Sequence, residues 1–254
     1  MTTAIDSLVA GLPGWSDAAI LPLAGGTGAR AYRLDAGGRS AVLKIDAKLR
    51  RPPYNSRAEE ADVQQRAAAA GFAPRVLWHS PEGIMTEWLD GTPLGNGETP
   101  DDAVLIGLAR LLKSLHGQPP TGRRYELSAW ADHYRSELEA SGRLDDPLAR
   151  DAEVLAATTL PGPWVSSHND CVPANLILND TLRLIDFEYA RDNSPLFDLA
   201  TFIVEAGLSD AARDVLTGAY FNSVPVPDDD LDETIAAYRP LVRLWWASRS
   251  PVVA

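Results

Sequence analysis

The amino-terminal third of the chain alternates short apolar runs with turn residues. The runs contain β-branched, leucine and aromatic residues, and glycines occupy the segments between the first three of them. Strand, glycine-rich turn and strand in this order are typical of an antiparallel sheet. The predicted strands are residues 18–23, 31–34, 41–45, 76–79 and 83–89.

Helical periodicity dominates the rest of the chain. After a break at residues 90–93, apolar residues recur every three or four positions between Val104 and Leu115, which predicts one apolar helix face. We therefore place a lobe boundary just before the break, with one lobe over residues 1–88 and a second over 89–254. The predicted helices are residues 55–70 in the first lobe and 104–115, 128–140, 153–157, 196–206, 209–220 and 231–248 in the second.

Three polar residues stand out in a segment of short apolar runs within the second lobe. Asp170 and Asn175 are five positions apart, and Asn175 directly precedes the apolar run 176–178. A turn leads into a second run, 182–185, which Asp186 follows. A hairpin of these two runs would bring all three side chains to one end of two short strands.

These side chains suit the transfer of a phosphoryl group. The reaction needs one acid that orients and deprotonates the attacking hydroxyl, here Asp170. It also needs oxygen ligands for the magnesium that neutralises phosphate charge, here Asn175 and Asp186. Asn and Asp also cap loops, but that simpler interpretation does not account for the three spacings together.

Composition narrows the class of protein. The 254 residues are 45% hydrophobic and 23% charged, which is enough apolar content for one or two compact lobes. The net charge of −12 argues against nucleic acid or an anionic membrane as a partner. The single cysteine, Cys171, excludes an intrachain disulfide, and no base beside it supports a nucleophilic role. With no signal-peptide pattern and no apolar run long enough for a membrane span, we expect a cytoplasmic protein.

The pattern resembles the catalytic region of protein kinases, with informative departures. Asn169 and Val172 stand where protein kinases carry Arg and Lys, the triplet after the second strand ends in Glu188, and no Ala-Pro-Glu follows. These departures resemble the choline kinase and aminoglycoside phosphotransferase branch, and most of all the bacterial choline/ethanolamine kinases. The resemblance implies an α+β, protein-kinase-like fold of two lobes. A small amino-terminal antiparallel-sheet lobe with one helix precedes a larger, mainly helical lobe, and ATP binds between them.

The resemblance also assigns nucleotide contacts. Gly25, Gly26, Thr27 and Gly28 would approach the phosphates through their backbone amides, although the same glycines would also suit a plain hairpin turn. Lys44 would contact the α- and β-phosphates. Its anionic partner is Glu60 or, as the less favoured choice, Glu59. The segment Glu87, Trp88 and Leu89 would offer backbone donors and acceptors to the adenine ring, unless it is an ordinary edge strand.

Within the second lobe, the resemblance adds supporting roles to Asp170, Asn175 and Asp186. Glu188 is expected to be a further magnesium ligand or a solvated carboxylate. His168 is expected to hold the loop rather than to transfer protons, and Asp198 to accept backbone N–H groups of that loop.

The acceptor is expected to be a small alcohol, cationic in character. Trp245 and Trp246 would present aromatic faces to a quaternary ammonium group, with a carboxylate from Glu205, although core packing is the favoured role for at least one of the two tryptophans. Choline or a similar amino alcohol is the favoured acceptor. Aminoglycosides, thiamine, a sugar hydroxyl, and a nucleotide-binding pseudokinase without turnover are the alternatives. The sequence leaves the oligomeric state open.

Overall fold

The computed structural model describes residues 4–24, 29–95, 100–222 and 228–249. The predicted phosphate loop, Gly25, Gly26, Thr27 and Gly28, lies outside the described residues. The chain forms two compact units, Met1–Asp90 and Gly91–Ala254, which divide two residues after the boundary expected from sequence.

The first unit is built on a five-stranded antiparallel sheet. Its strands are β1 (Ala19–Pro22), β2 (Ala29–Ala36), β3 (Arg39–Asp46), β4 (Val76–Ser80) and β5 (Gly83–Glu87). Their order across the sheet is β1-β2-β3-β5-β4. Gly37 and Gly38 form the turn between β2 and β3 with φ of 58° and 77°, values that a tight hairpin requires and glycine adopts without strain. All five predicted strands are confirmed, with ends shifted by a few residues.

Two helices belong to the same unit. Helix α1 (Ala4–Ala10), which the sequence pattern did not predict, contributes Val9 to an apolar cluster with Leu43 and Met85 of the sheet. The predicted helix α2 (Arg57–Ala69) is confirmed. It begins after Ser56, whose hydroxyl accepts the backbone N–H of Glu59, while the Glu59 carboxylate accepts the N–H of Ser56. This reciprocal capping box satisfies two backbone donors that would otherwise have no partner.

The second unit is mainly helical. Its helices are α3 (Asp102–His116), α4 (Leu127–Ala140), α5 (Asp146–Ala157), α6 (Pro195–Glu205), α7 (Asp210–Phe221) and α8 (Asp228–Arg249). All six predicted helices are present, but α5 begins seven residues earlier than expected. The Asp145 carboxylate accepts the N–H of Leu148 there and caps the first turn. No helix within the described residues is both long and apolar enough to cross a membrane.

Short strands frame the segment that carries the polar residues. They are β6 (Thr92–Pro93), β7 (Val165–Ser167), β8 (Leu176–Leu178), β9 (Leu182–Leu184) and β10 (Arg191–Asn193). The predicted hairpin is confirmed as the antiparallel pair β8 and β9, with β6 on the outer side of β8. Strand β7 pairs with β10, a contact that the sequence pattern did not indicate. Residues 168–175 therefore connect β7 to β8, and residues 185–190 connect β9 to β10.

Candidate active site

The predicted base and one predicted magnesium ligand lie side by side. A single 3₁₀ turn, Pro173–Asn175, brings the Asn175 side chain back towards the start of the loop. Its Nδ2 donates to the backbone oxygen of Asp170 at 2.9 Å and to Asp170 Oδ2 at 2.8 Å. Because the amide nitrogen is used in this way, the side-chain oxygen of Asn175 is the atom that remains suited to a cation.

The predicted contact between Asp198 and the backbone of the loop after β7 is confirmed. Its buried carboxylate accepts the backbone N–H of His168 at 2.8 Å and that of Asn169 at 2.7 Å. Nε2 of His116, at the end of α3, lies 3.0 Å from Asp198 Oδ2. Burial alone would raise the pKa of Asp198, but the hydrogen bond and charge of His116 and the loop amides hold it below its ordinary value. The loop is thus tied to α6 and α3.

His168 is a structural residue, as expected. Its Nε2 donates to the backbone oxygen of Ile185 at 3.1 Å, and its ring packs edge-to-face on Phe187 with centroids 4.8 Å apart. Complete burial lowers the pKa of His168, which favours the neutral imidazole. The ring therefore connects the loop to the residues on either side of Asp186.

Asp186 and Glu188 project from a tight turn after β9. Asp186 has φ 69° and ψ 65°, a left-handed conformation uncommon for a residue with a side chain, and it begins the 3₁₀ turn Phe187–Tyr189. Buried Phe187 anchors that turn. Within the described residues, no three His, Cys, Asp or Glu side chains form a complete cation cage. Magnesium does not need one, because it commonly takes one or two carboxylates together with water and phosphate oxygens. The donor set of Asn175, Asp186 and Glu188 fits that chemistry.

Negative charge accumulates around Asp170. Burial, followed by the charges of Asp186 and Glu188, raises the pKa of Asp170 to about 8, although the hydrogen bond from Asn175 opposes the shift. Glu205 adds a smaller contribution of the same sign. The adjacent Cys171 is buried, and burial raises the pKa of its thiol well above the usual range, which argues against a nucleophilic role.

A cavity of about 250 Å³ opens beside Asp170 and Asn175. The side chains around it combine aromatic rings, aliphatic groups and one further carboxylate, that of Glu205. The aromatic and acidic residues that line it are Tyr125, Tyr134, Tyr189, Tyr238, Trp245, Trp246, Asp170 and Glu205. The hydroxyl of Tyr238 donates to Glu205 Oε1 at 3.1 Å, which fixes this carboxylate at the cavity wall.

Both tryptophans of α8 belong to the cavity wall. Trp246 is 59% exposed and Trp245 half-buried, so neither is a core residue as the simpler interpretation would have it. Their rings stand edge-to-face with centroids 4.8 Å apart. The end of the helix is fixed by Arg143, whose guanidinium donates to the backbone oxygens of Ala247 and Ser248, both at 2.8 Å. This contact satisfies carbonyl groups that a helix end leaves without partners.

The first unit carries the predicted nucleotide contacts. Lys44 is half-buried in the middle of β3, opposite Ala31 of β2 and Ile84 of β5. At the end of β5, the N–H groups of Glu87 and Trp88 donate to the backbone oxygens of Arg75 and Ser40, so they are already used within the sheet. An adenine contact in this segment, including Leu89, therefore depends on other backbone groups and stays a prediction.

Glu60 lies in a buried ionic cluster. Its Oε2 accepts from Arg57 at 2.8 Å and from Arg50 at 2.9 Å, and Arg57 also forms a two-point contact with Asp46 at 2.7 and 2.8 Å. A Lys44 ammonium on Glu60 would therefore share this carboxylate with two guanidinium groups, and the pair stays a prediction. Glu59, the other candidate, forms the α2 capping box instead.

The sequence pattern missed part of the cavity. Tyr125 precedes α4, Tyr134 lies in the middle of that helix, and Tyr189 is the last residue of the 3₁₀ turn after Asp186. All three are buried, and only Tyr189 stands next to a motif, the triplet from Asp186 to Glu188. The spacing of Trp130 and Tyr134 signals only a helix face, which gives no indication that the hydroxyl-bearing ring reaches a cavity.

Known proteins resemble this chain in sequence. The model of the phosphotransferase enzyme family, APH, matches residues 19–238. Protein LicA of Haemophilus influenzae is 54% identical over 56 residues, which are 22% of this chain and 21% of LicA. Thiamine kinase of Salmonella paratyphi B is 35% identical over 139 residues, 54% of this chain and 48% of that enzyme. The matches thus span between about a fifth and about half of these relatives' lengths.

Solved structures resemble the chain over most of its length. The choline/ethanolamine kinase family protein from Mesorhizobium loti has a TM-score of 0.71 at 26% identity and covers 95% of this chain and 83% of its own. LicA in complex with AMP has a TM-score of 0.69 at 18% identity, covering 91% and 83%. An aminoglycoside-3'-phosphotransferase of type VIII has 0.69 at 21%, covering 95% and 97%. The last two likenesses concern the fold alone, and together the three confirm the predicted α+β, protein-kinase-like fold.

Proposed function

Because the chain belongs to the phosphotransferase enzyme family, we propose that it transfers the γ-phosphoryl group of ATP to the hydroxyl of choline or a similar amino alcohol. The cavity beside Asp170 is the observation that carries this proposal. Aromatic faces attract quaternary ammonium groups by about 0.5–2 kcal/mol each, and Glu205 adds a negative charge. The wall of tyrosines and tryptophans therefore suits a compact organic cation.

The size of the cavity favours a small acceptor. At about 250 Å³, the cavity lies just below the roughly 300–1,000 Å³ that is typical of ligand pockets. This size favours a compact acceptor such as choline or ethanolamine over an aminoglycoside of several sugar rings. The acceptor hydroxyl would then lie beside Asp170, which lines the cavity together with Asn175.

Asp170 is the proposed general base. It accepts the proton of the hydroxyl group as the hydroxyl oxygen bonds to the γ-phosphorus and the bond from phosphorus to the ADP oxygen breaks. A base whose pKa lies close to the working pH is effective in this role. The Asn175 contact orients the Asp170 carboxylate, and Asp198 holds the backbone beneath it.

Magnesium would enter with the nucleotide and neutralise phosphate charge, held by Asn175, Asp186 and Glu188. In the first unit, Lys44 is proposed to contact the phosphates, with Glu60 as its anionic partner. Glu87, Trp88 and Leu89 are proposed to contact the base. These assignments rest on the resemblance and on the positions of the residues in the sheet unit.

The test is ATP-to-ADP turnover with Mg²⁺ and a panel of acceptors: choline, ethanolamine, thiamine, kanamycin and a free sugar. We expect acceleration by choline or ethanolamine. Thiamine is the second candidate, since the thiamine kinase match covers about half of this chain and its thiazolium ring is also a cation. Turnover with thiamine or kanamycin alone would reject the acceptor assignment while retaining the reaction. Nucleotide binding without any acceleration would favour a pseudokinase.

Replacing Asp170 by Ala tests the role of the base directly. Turnover should fall by orders of magnitude, because the hydroxyl loses its proton acceptor, while ATP affinity should stay nearly unchanged. Asp180→Ala, in the exposed turn between β8 and β9, is the control and should retain both properties. A large loss of ATP affinity with little loss of turnover would overturn the assignment.

A further inference from the structure

Asn169, beside the proposed base, occupies a backbone position that few residue types tolerate. Its φ is 65°, in the left-handed region, and the residue is only 4% exposed. Glycine and asparagine adopt this conformation with little strain, whereas most other side chains do not. The backbone requirement alone would therefore be met by glycine, so the asparagine side chain needs a separate explanation.

The Asn169 side chain forms hydrogen bonds to residues 189–193, which follow Asp186 and Glu188 in the chain. Its Nδ2 donates to the backbone oxygens of Tyr189 at 3.0 Å and Arg191 at 3.1 Å, with a longer contact of 3.4 Å to that of Ser167. Its Oδ1 accepts from Nδ2 of Asn193 at 2.8 Å. One buried carboxamide thus uses its donors and its acceptor on a stretch of chain that lies 20 to 24 positions further along the sequence.

The bridge ties two groups whose separation matters for phosphoryl transfer. Asp170 directly follows Asn169, and Glu188 directly precedes Tyr189. The pairing of β7 with β10 ends at Ser167 opposite Arg191, so the backbone ladder stops just short of both functional residues. The Asn169 carboxamide continues that connection beyond the ladder, at the edge of the cavity that it also lines.

We propose that Asn169 is a positioning residue that fixes Asp170 relative to the turn bearing Asp186 and Glu188. This inference rests on the proposed function for its catalytic consequence, but the brace itself can be tested without turnover. In-line transfer depends on the distance between the base and the metal-bound phosphate, and small misplacements of reacting groups lower rates strongly. A side chain that sets this distance need not touch the acceptor or the nucleotide.

The variant Asn169→Gly isolates the side chain, because glycine retains the left-handed backbone. Asn222→Gly is a matched control: Asn222 also has a positive φ, 55°, and its side chain accepts a hydrogen bond from Lys113, but on the exposed end of α7. Both variants add one glycine to the unfolded chain, so that contribution to stability is shared.

The first measurement is hydrogen exchange of the peptide covering residues 187–193 in the metal-free protein. We expect exchange about tenfold faster or more in Asn169→Gly, because the bonds from its side chain to that segment are lost, and no change in Asn222→Gly. The second is the Mg²⁺ concentration that gives half of the ADP-dependent rise in Tm, which should increase severalfold in Asn169→Gly alone. Unchanged exchange or an unchanged Mg²⁺ requirement would overturn the proposal.

The kinetics of turnover provide a third measurement, which should stay unchanged if Asn169 only stabilises the fold. With the acceptor that the wild-type protein uses, kcat of Asn169→Gly should fall more than about tenfold while the acceptor KM changes less than about threefold. ADP should also exceed phosphorylated acceptor, because a misplaced base admits water as the nucleophile. A wild-type kcat with one ADP per phosphorylated acceptor would overturn the positioning role. A wild-type protein inactive on the whole panel would reject the proposed function, while exchange and Mg²⁺ titration would still test the brace.

Discussion

Replacing Asp170 by Asn should stabilise the metal-free protein while removing its turnover. Burial and the negative charges of Asp186, Glu188 and Glu205 raise the pKa of Asp170 to about 8. An aspartate in the unfolded chain has a pKa of about 4. Between these values the folded state binds a proton that the unfolded state does not, so stability is lost as the pH rises. Asparagine has nearly the same shape and carries no charge, and it should avoid this loss.

The size of the effect follows from the shift. Each pH unit between the two pKa values changes the free energy of unfolding by at most about 1.4 kcal/mol, so the ceiling is about 5–6 kcal/mol above pH 8. Because the site opens to the cavity and can relax or admit water, we expect an observed gain of about 1–3 kcal/mol at pH 8.5. The gain should shrink steadily towards pH 5, where Asp170 is protonated in the folded protein and no longer repels its neighbours.

Urea unfolding in EDTA at pH 5.5, 6.5, 7.5 and 8.5 would measure this gain for Asp170→Asn against the wild-type protein. Asp180→Asn, in an exposed turn, is the control for a change of one charge and should show little pH dependence. Adding Mg²⁺ should narrow the difference, because a cation offsets the repulsion among the carboxylates. A variant that is less stable than the wild type at pH 8.5, or a gain that does not change with pH, would refute the reasoning.

Two further substitutions test the supports of the site. Asp198→Asn should cost about 3–5 kcal/mol, because one amide of the loop loses its acceptor and faces a donor instead. Its kcat should fall well below that of Asp192→Asn, which removes a similar buried brace from the 121–122 loop; equal losses of kcat would contradict a specific role. Arg143→Ala should release the end of α8 and raise the acceptor KM about three- to tenfold with unchanged nucleotide affinity. The control is Arg150→Ala, at an exposed position on α5, which should leave the acceptor KM unchanged. Equal changes of KM in both variants would contradict the role of Arg143.

The sequence by itself was sufficient for the local framework of the site. Two short apolar runs joined by a turn lie between Asn175 and Asp186, and Asp170 is five positions before Asn175. When the two runs pair as a hairpin, few arrangements of the chain keep these three side chains apart. The strands of the first unit and the helices of the second were predicted from the spacing of apolar residues, because that spacing differs between a strand and a helix. Asp198 was also predicted correctly, on the resemblance to kinases of small molecules.

Tertiary structure decided which distant residues meet. Periodicity shows which face of α4 or α8 is apolar, but not that Tyr134 and Trp245 line the same cavity, because the packing of the helices decides that. Of the two arginines that contact Glu60, Arg57 stands three positions before it on α2, whereas Arg50 lies outside that helix and no spacing rule indicated it. Asn169 could be recognised in the sequence only as a departure from the kinase pattern. Its bridge to Tyr189 and Arg191 exists because the pairing of β7 with β10 brings together segments that are more than twenty positions apart in the chain.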